Sequence, residues 1–140
     1  MVKVVGVLMV VLALVLAIVP GFTDCESQGK VLTTAQGKAV SMKCHWTGRA
    51  EIAAAIPLGL AGVFAVAGRR RETKRFAAVV GAASGILAIL FATTLIGTCA
   101  SASMYCNVAM KPVILAAGIL AIAVSAVLFV LAREEPSTAA

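Results

Sequence analysis

Charge is scarce in this chain. Asp, Glu, Lys and Arg together make up 13% of its 140 residues, against 61% for hydrophobic side chains. Mean hydropathy is +1.05. A soluble domain carries about 25% charged residues, so the shortage excludes that class and leaves an integral membrane protein. Other absences narrow the chemistry. A Gly-x-x-x-x-Gly-Lys-Ser/Thr loop is missing, so the chain does not hydrolyse ATP itself. No Cys-x-x-Cys pair occurs, which argues against the active site of the quinone-linked disulfide oxidases. Histidine occurs once.

What is abundant is apolar sequence of membrane-spanning length. A bilayer core takes about 20 predominantly apolar residues as helix, because no water is available there to satisfy the backbone. Four stretches qualify, at about 4–22, 50–68, 76–98 and 112–132. They predict an all-α fold, a polytopic four-helix transmembrane bundle that uses residues 1–140 as a single integral membrane domain. The first stretch follows Lys3 in the manner of a signal peptide but lacks small residues of the Ala-x-Ala kind near Pro20-Gly21, so it is expected to remain as a helix. Ionisable side chains are missing from 52–68, 76–98 and 112–132, and the first stretch has none after Lys3. Ion and proton pathways through bilayers use such groups. A pump working alone is therefore not expected.

Orientation is read from the basic residues. Arg69, Arg70, Arg71, Lys74 and Arg75, with Glu72 among them, join the second and third spans, and short basic loops stay in the cytoplasm. Both termini are then cytoplasmic and the cysteine loops extracytoplasmic, in a multi-pass protein of the cell membrane. The same five basic residues are candidates for anionic lipid contact. They account for most of the net charge of +6 and are not read as a sign of nucleic acid.

The chain repeats itself. Ser41-Met42-Lys43-Cys44 and Ser103-Met104-Tyr105-Cys106 share the pattern Ser-Met-x-Cys. Each follows an upstream cysteine (Cys25, Cys99) and precedes a basic residue by five positions (Arg49, Lys111). The plan suggests an internal two-fold repeat with two outer cysteine-containing loops. In the first loop, Val31 to Thr34 and Ala39 to Met42 flank a glycine-containing turn and predict a short β-hairpin. Trp46 and Tyr105 suit the headgroup level. Thr47 is read as a cap for the second helix, with Glu51 in its first turn.

Within the spans, Gly81 and Gly85 form a Gly-x-x-x-Gly match that predicts close helix packing, internal to the bundle or against another subunit. Thr93, Thr94, Ser84 and Ser125 are expected to bond carbonyls one turn back. The cysteines carry whatever chemistry is present. Pairing Cys25 with Cys44 and Cys99 with Cys106 gives one structural disulfide per loop, although four cysteines allow three pairings. A Cys99–Cys106 bond requires irregular backbone, since seven helical residues rise roughly 10.5 Å. Thiol exchange is a second reading. A third is a soft-metal site for copper, built from Met42, Cys44, His45, Met104 and Cys106, because thioether and thiolate ligands suit Cu(I).

The runs Met42-Lys43-Cys44-His45-Trp46-Thr47 with Glu51, Thr94-Leu95-Ile96-Gly97-Thr98-Cys99, and Cys106 to Lys111-Pro112 resemble a bacterial family catalogued as domain of unknown function 4418. The resemblance covers nearly all of the chain. It implies a small four-helix membrane protein, often encoded near exporter-type ABC transporter genes, and carries over no catalytic residue. The expected function is therefore interaction rather than enzymatic catalysis. The chain would be an accessory or stabilising subunit of an ABC-type transporter or other membrane complex, with membrane lipid and an ABC-type permease or a second copy as partners. The alternative is an extracytoplasmic thiol-disulfide redox or copper-binding membrane protein.

Overall fold

The computed structural model describes residues 1–101 and 103–134. Its four long helices are α1 (Val2–Thr23), α2 (Lys43–Ala67), α3 (Arg71–Leu90) and α4 (Lys111–Glu134). α3 runs on into a π-helical turn, Phe91–Leu95, and α4 is preceded by another, Cys106–Met110. With those turns included, all four are long and apolar enough to cross a membrane. Large apolar side chains also cover the outside of the bundle, among them Val11, Leu14 and Ile18 on α1 and Ile56, Leu60 and Val63 on α2. Helices that are apolar all round belong in lipid, where such a surface meets acyl chains instead of water.

α1 packs chiefly on α2 and α3 on α4, and α2 with α3 and α1 with α4 close the ring. Small residues set the approach. A β-carbon at Gly62 of α2 would lie 2.8 Å from the Gly6 carbonyl oxygen of α1, and one at Gly85 of α3 would lie 2.8 Å from that of Gly118 in α4. Each helical hairpin therefore crosses on a glycine pair, and neither crossing admits a side chain. Gly81 faces inward too, against Met9 and Ser125. Between the small residues the core is filled by Met9, Leu16, Leu58, Met110, Ile114 and Leu128, all fully buried.

The two ends of the bundle differ. At one, the short link after Gly68 turns α2 into α3. There Arg71 donates from Nε to the Ala132 carbonyl (2.7 Å) and from Nη2 to that of Arg133, satisfying carbonyls in the last turn of α4. Arg75 stands over the Phe129 ring at 5.9 Å. At the other end lie all four cysteines and a two-stranded antiparallel sheet, β1 (Leu32–Thr33) with β2 (Ala39–Val40), in the register Leu32 to Val40 and Thr33 to Ala39. Gly37, at φ +77, makes its turn. The hairpin thus forms in the expected segment.

Helix boundaries depart from expectation where polar residues hide a helix. α2 starts at Lys43, with Met42 as its N-cap and no side-chain cap bond. Thr47 is therefore not the cap, and Glu51 lies about two turns in, not in the first turn. α3 begins at Arg71, so most of the basic run is helical. The hydroxyls of Ser84, Thr93 and Thr94 do donate to the carbonyls of Val80, Ile89 and Leu90. Ser125 is the exception, with a buried hydroxyl that has no hydrogen-bond partner among the described residues.

Candidate thiol centre

Each helix end at the cysteine pole delivers one sulfur. Cys25 follows Asp24, the C-cap of α1. Cys44 is the second residue of α2. Cys99 lies just past the π-turn that extends α3, and Cys106 opens the π-turn that leads into α4. The ring of packed helices brings these four ends together, and all four Sγ atoms lie within 4.8 Å of one another. Individual separations are 3.3 Å for Cys44 to Cys99, 3.4 Å for Cys25 to Cys99 and 3.7 Å for Cys25 to Cys106. No disulfide bond joins them in this structure. These close approaches run between the two loops, whereas the sequence suggested pairing within each loop. Cys44 and Cys106 are 0% exposed and Cys25 4%; Cys99 is partly open.

Local hydrogen bonds explain why the loops hold this shape. After α1, the Ser27 backbone N–H donates to Asp24 Oδ1 (2.8 Å), the Ser27 hydroxyl donates to the Asp24 carbonyl (2.8 Å), and the Lys30 N–H donates to the Cys25 carbonyl (2.9 Å). Cys25 is fixed at the start of that turn. After α3, Gly97 adopts φ +75, a left-handed conformation open to glycine, and its N–H returns to the Phe91 carbonyl (3.0 Å). The next residues are held by Asn107, whose Nδ2 donates to the carbonyls of Cys99 (2.6 Å) and Ser101 (2.8 Å) while Thr98 donates to its Oδ1 (2.5 Å). One amide thus anchors the segment that carries Cys99. π-turns are uncommon and cluster at functional sites, and here they bracket two of the four thiols.

Electrostatics separate the thiol cluster from its polar neighbours. Burial, reinforced by the adjoining thiols of Cys44, Cys99 and Cys106, pushes the Cys25 thiol well above its ordinary range. Burial would also raise Asp24, but the hydrogen bonds from Ser27 and the contact with His45 outweigh it and hold that carboxyl below its usual value. His45 Nδ1 lies 3.2 Å from Asp24 Oδ2 and 2.9 Å from Glu26 Oε2. It is occupied by carboxylates and edge-on to Trp46, at a ring-centroid distance of 5.8 Å.

The five residues read from sequence as a soft-metal set do not all meet at one point. Cys44 and Cys106 belong to the cluster, and Cys25 and Cys99, absent from that set, complete it. His45 belongs instead to the Asp24 and Glu26 group. Met104 stays at the periphery, with its Sδ 4.0 Å from Cys25 Sγ, and Met42 packs partly buried against the core. The repeated Met-x-Cys obscures a simpler signal in the sequence, one cysteine beside every helix end. Asn107 and the tertiary role of Thr47 carry no motif.

Four membrane-spanning helices joined at one pole by a cluster of four cysteines define a polytopic α-helical membrane protein. Residues 3–131 match a domain of unknown function (DUF4418), and the chain belongs to that family. No curated protein and no solved structure matches it.

Proposed function

We propose that the protein is a membrane-embedded tetrathiolate centre that binds one thiophilic metal ion, Zn(II) or Cu(I), through Cys25, Cys44, Cys99 and Cys106. The observation that carries this reading is the sulfur geometry. A tetrahedral ion with metal–sulfur bonds of about 2.3 Å places its ligands about 3.8 Å apart. The three approaches of 3.3 to 3.7 Å, with every sulfur within 4.8 Å of the rest, need only small side-chain adjustments to reach it. Soft thiolate ligands select Zn(II) and Cu(I) over hard cations. Binding displaces the thiol protons, so it strengthens as pH rises.

Such an ion would tie all four helix ends together, since each contributes one ligand. That supports a stabilising role within a larger assembly, with an ABC-type permease as the partner the family resemblance suggests. A second observation favours interaction over transport through the bundle itself: among the described residues, Glu51 is the one charged-type side chain, thiols apart, buried inside a span.

The competing occupant of the same sulfurs is a pair of disulfides, for which the cross-loop neighbours Cys44 with Cys99 and Cys25 with Cys106 are the natural partners. Metal analysis combined with thiol counting on purified protein separates the two. The metal reading expects one Zn(II) or Cu(I) per chain and four titratable thiols after chelation. Protein with no titratable thiol and no bound metal, before any reductant is added, overturns it.

A further inference from the structure

The pole opposite the cysteines carries a second site of a different kind. A groove of about 880 Å³ opens there between the start of α1, the end of α2 and the end of α4. Lys3, Arg69 and Lys74 line it together with the apolar Val2, Val66 and Leu131. Among the described residues, no acidic side chain contributes to its wall. Its volume is within the roughly 300 to 1,000 Å³ of small-molecule sites.

The basic run at this pole is divided between two tasks. Arg71 is committed to the last carbonyls of α4 and Arg75 to the Phe129 ring. Arg69, from the same run, instead lines the groove with Lys3, although Lys3 is far away in sequence. Setting topology requires only that basic residues lie on one side of the bilayer. It does not require that Lys3 and Arg69, from distant parts of the sequence, share one concavity with apolar side chains. Basic and apolar groups side by side in one groove, at the end of a membrane-spanning bundle, match a phosphodiester headgroup and the first carbons of its acyl chains.

We propose that this groove binds the headgroup of an anionic phospholipid, with Lys3 and Arg69 as the principal phosphate contacts. The inference is independent of the metal reading, because the site lies at the other pole and shares no residue with it. Each basic residue near an anionic lipid surface is worth about a fivefold change in binding.

The test uses the full chain, delipidated in a neutral detergent. Phosphatidylglycerol should be retained at one per chain by native mass spectrometry and should raise Tm, while phosphatidylcholine should do neither. The Lys3→Gln/Arg69→Gln variant should bind phosphatidylglycerol about thirtyfold more weakly. An Arg49→Gln control, altered at the cysteine pole, should bind as the parent chain does. Inorganic phosphate alone should leave Tm unchanged; if it reproduced the shift, the ligand would be a free anion and the lipid assignment would fail. Equal retention of the two lipids, or undiminished phosphatidylglycerol binding by the double variant, overturns the proposal. If that variant does not fold, 0.5 M salt on the parent chain provides the second measurement: screening should sharply reduce phosphatidylglycerol retention, and salt-insensitive retention counts against the site.

Discussion

The hydroxyl of Thr47 donates a 2.6 Å hydrogen bond to the Gly97 carbonyl, linking the first turns of α2 to the chain reversal that follows α3. Thr47 lies one turn beyond Cys44, and Gly97 lies two residues before Cys99, so this bond ties together the segments carrying two thiols whose sulfurs are 3.3 Å apart. Removing it should loosen the thiol centre without touching a sulfur. Thr47→Val keeps the shape and deletes the donor, leaving a part-buried carbonyl without its partner, at a cost of about 1 kcal/mol. Tm in detergent should fall and metal affinity should drop by about tenfold, the scale of lost ligand positioning. Thr47→Ser should retain both. Unchanged affinity in Thr47→Val would show that the thiols are positioned without this bond.

The glycine crossings give a prediction about packing. A β-carbon at Gly85 would lie 2.8 Å from the Gly118 carbonyl oxygen and 3.2 Å from the Ala121 side chain, and backbone cannot swing aside as a flexible side chain can. Gly85→Ala should therefore force α3 and α4 apart and lower stability by about 1 to 3 kcal/mol. Gly21→Ala, where nothing lies within 4 Å of the new methyl group, is the matched control and should be neutral or slightly stabilising. A thermal melt of both variants in the same detergent reads the difference. Equal melting temperatures would mean that the helices separate without cost.

The spans and the hairpin were legible because each rests on a local signal: long apolar runs for the helices, and β-prone pairs around Gly37 for the strands. The start of α2 was not. Lys43-Cys44-His45-Trp46-Thr47-Gly48-Arg49 has no apolar period, and it is helical because Cys44, Thr47 and Gly48 form a buried face against the neighbouring segments. Convergence of the thiols was also hidden from sequence. Two cysteines in one loop suggest each other as partners, whereas all four meet because the ring of packed helices closes at this pole. Of the glycines, Gly81 and Gly85 stood out by their spacing, but Gly6, Gly62 and Gly118 did not, since their partners are on other helices.

Asp24 gives the turn that presents Cys25 a pH dependence whose sign is fixed. Its folded-state pKa lies below the ordinary value of 3.8, held down by Ser27 and His45 against the effect of burial. A depressed carboxyl stabilises the fold fully above the unfolded value, and that contribution is lost as pH falls through the folded one. Asp24→Asn removes the charge at every pH. The Tm difference between parent and variant should therefore begin to close as pH falls to near 3.8, and vanish at lower pH. A gap that persists unchanged well below that value would show that the side chain matters through shape and not through charge.

Glu51 poses the sharpest energetic question in the bundle. It lies on the same face of α2 as Cys44, seven residues and roughly 10.5 Å further along the helix. Its side chain is fully buried, and neither carboxylate oxygen has a hydrogen-bond partner among the described residues. A buried polar group without a partner costs about 1 to 3 kcal/mol, and such groups within spans are kept for function more often than for stability. Glu51→Met, which fills a similar volume without polar atoms, should then raise Tm in detergent, while Glu51→Gln, still polar and still unpartnered, should leave it nearly unchanged. The same two variants report on the thiol centre. If Glu51 is only a burden on the fold, metal stoichiometry stays at one per chain in both; if the carboxyl serves the site above it, Glu51→Met gains stability and loses metal affinity together. A Tm that falls in Glu51→Met would overturn the premise, because it would mean that the carboxyl has a favourable partner in the folded protein.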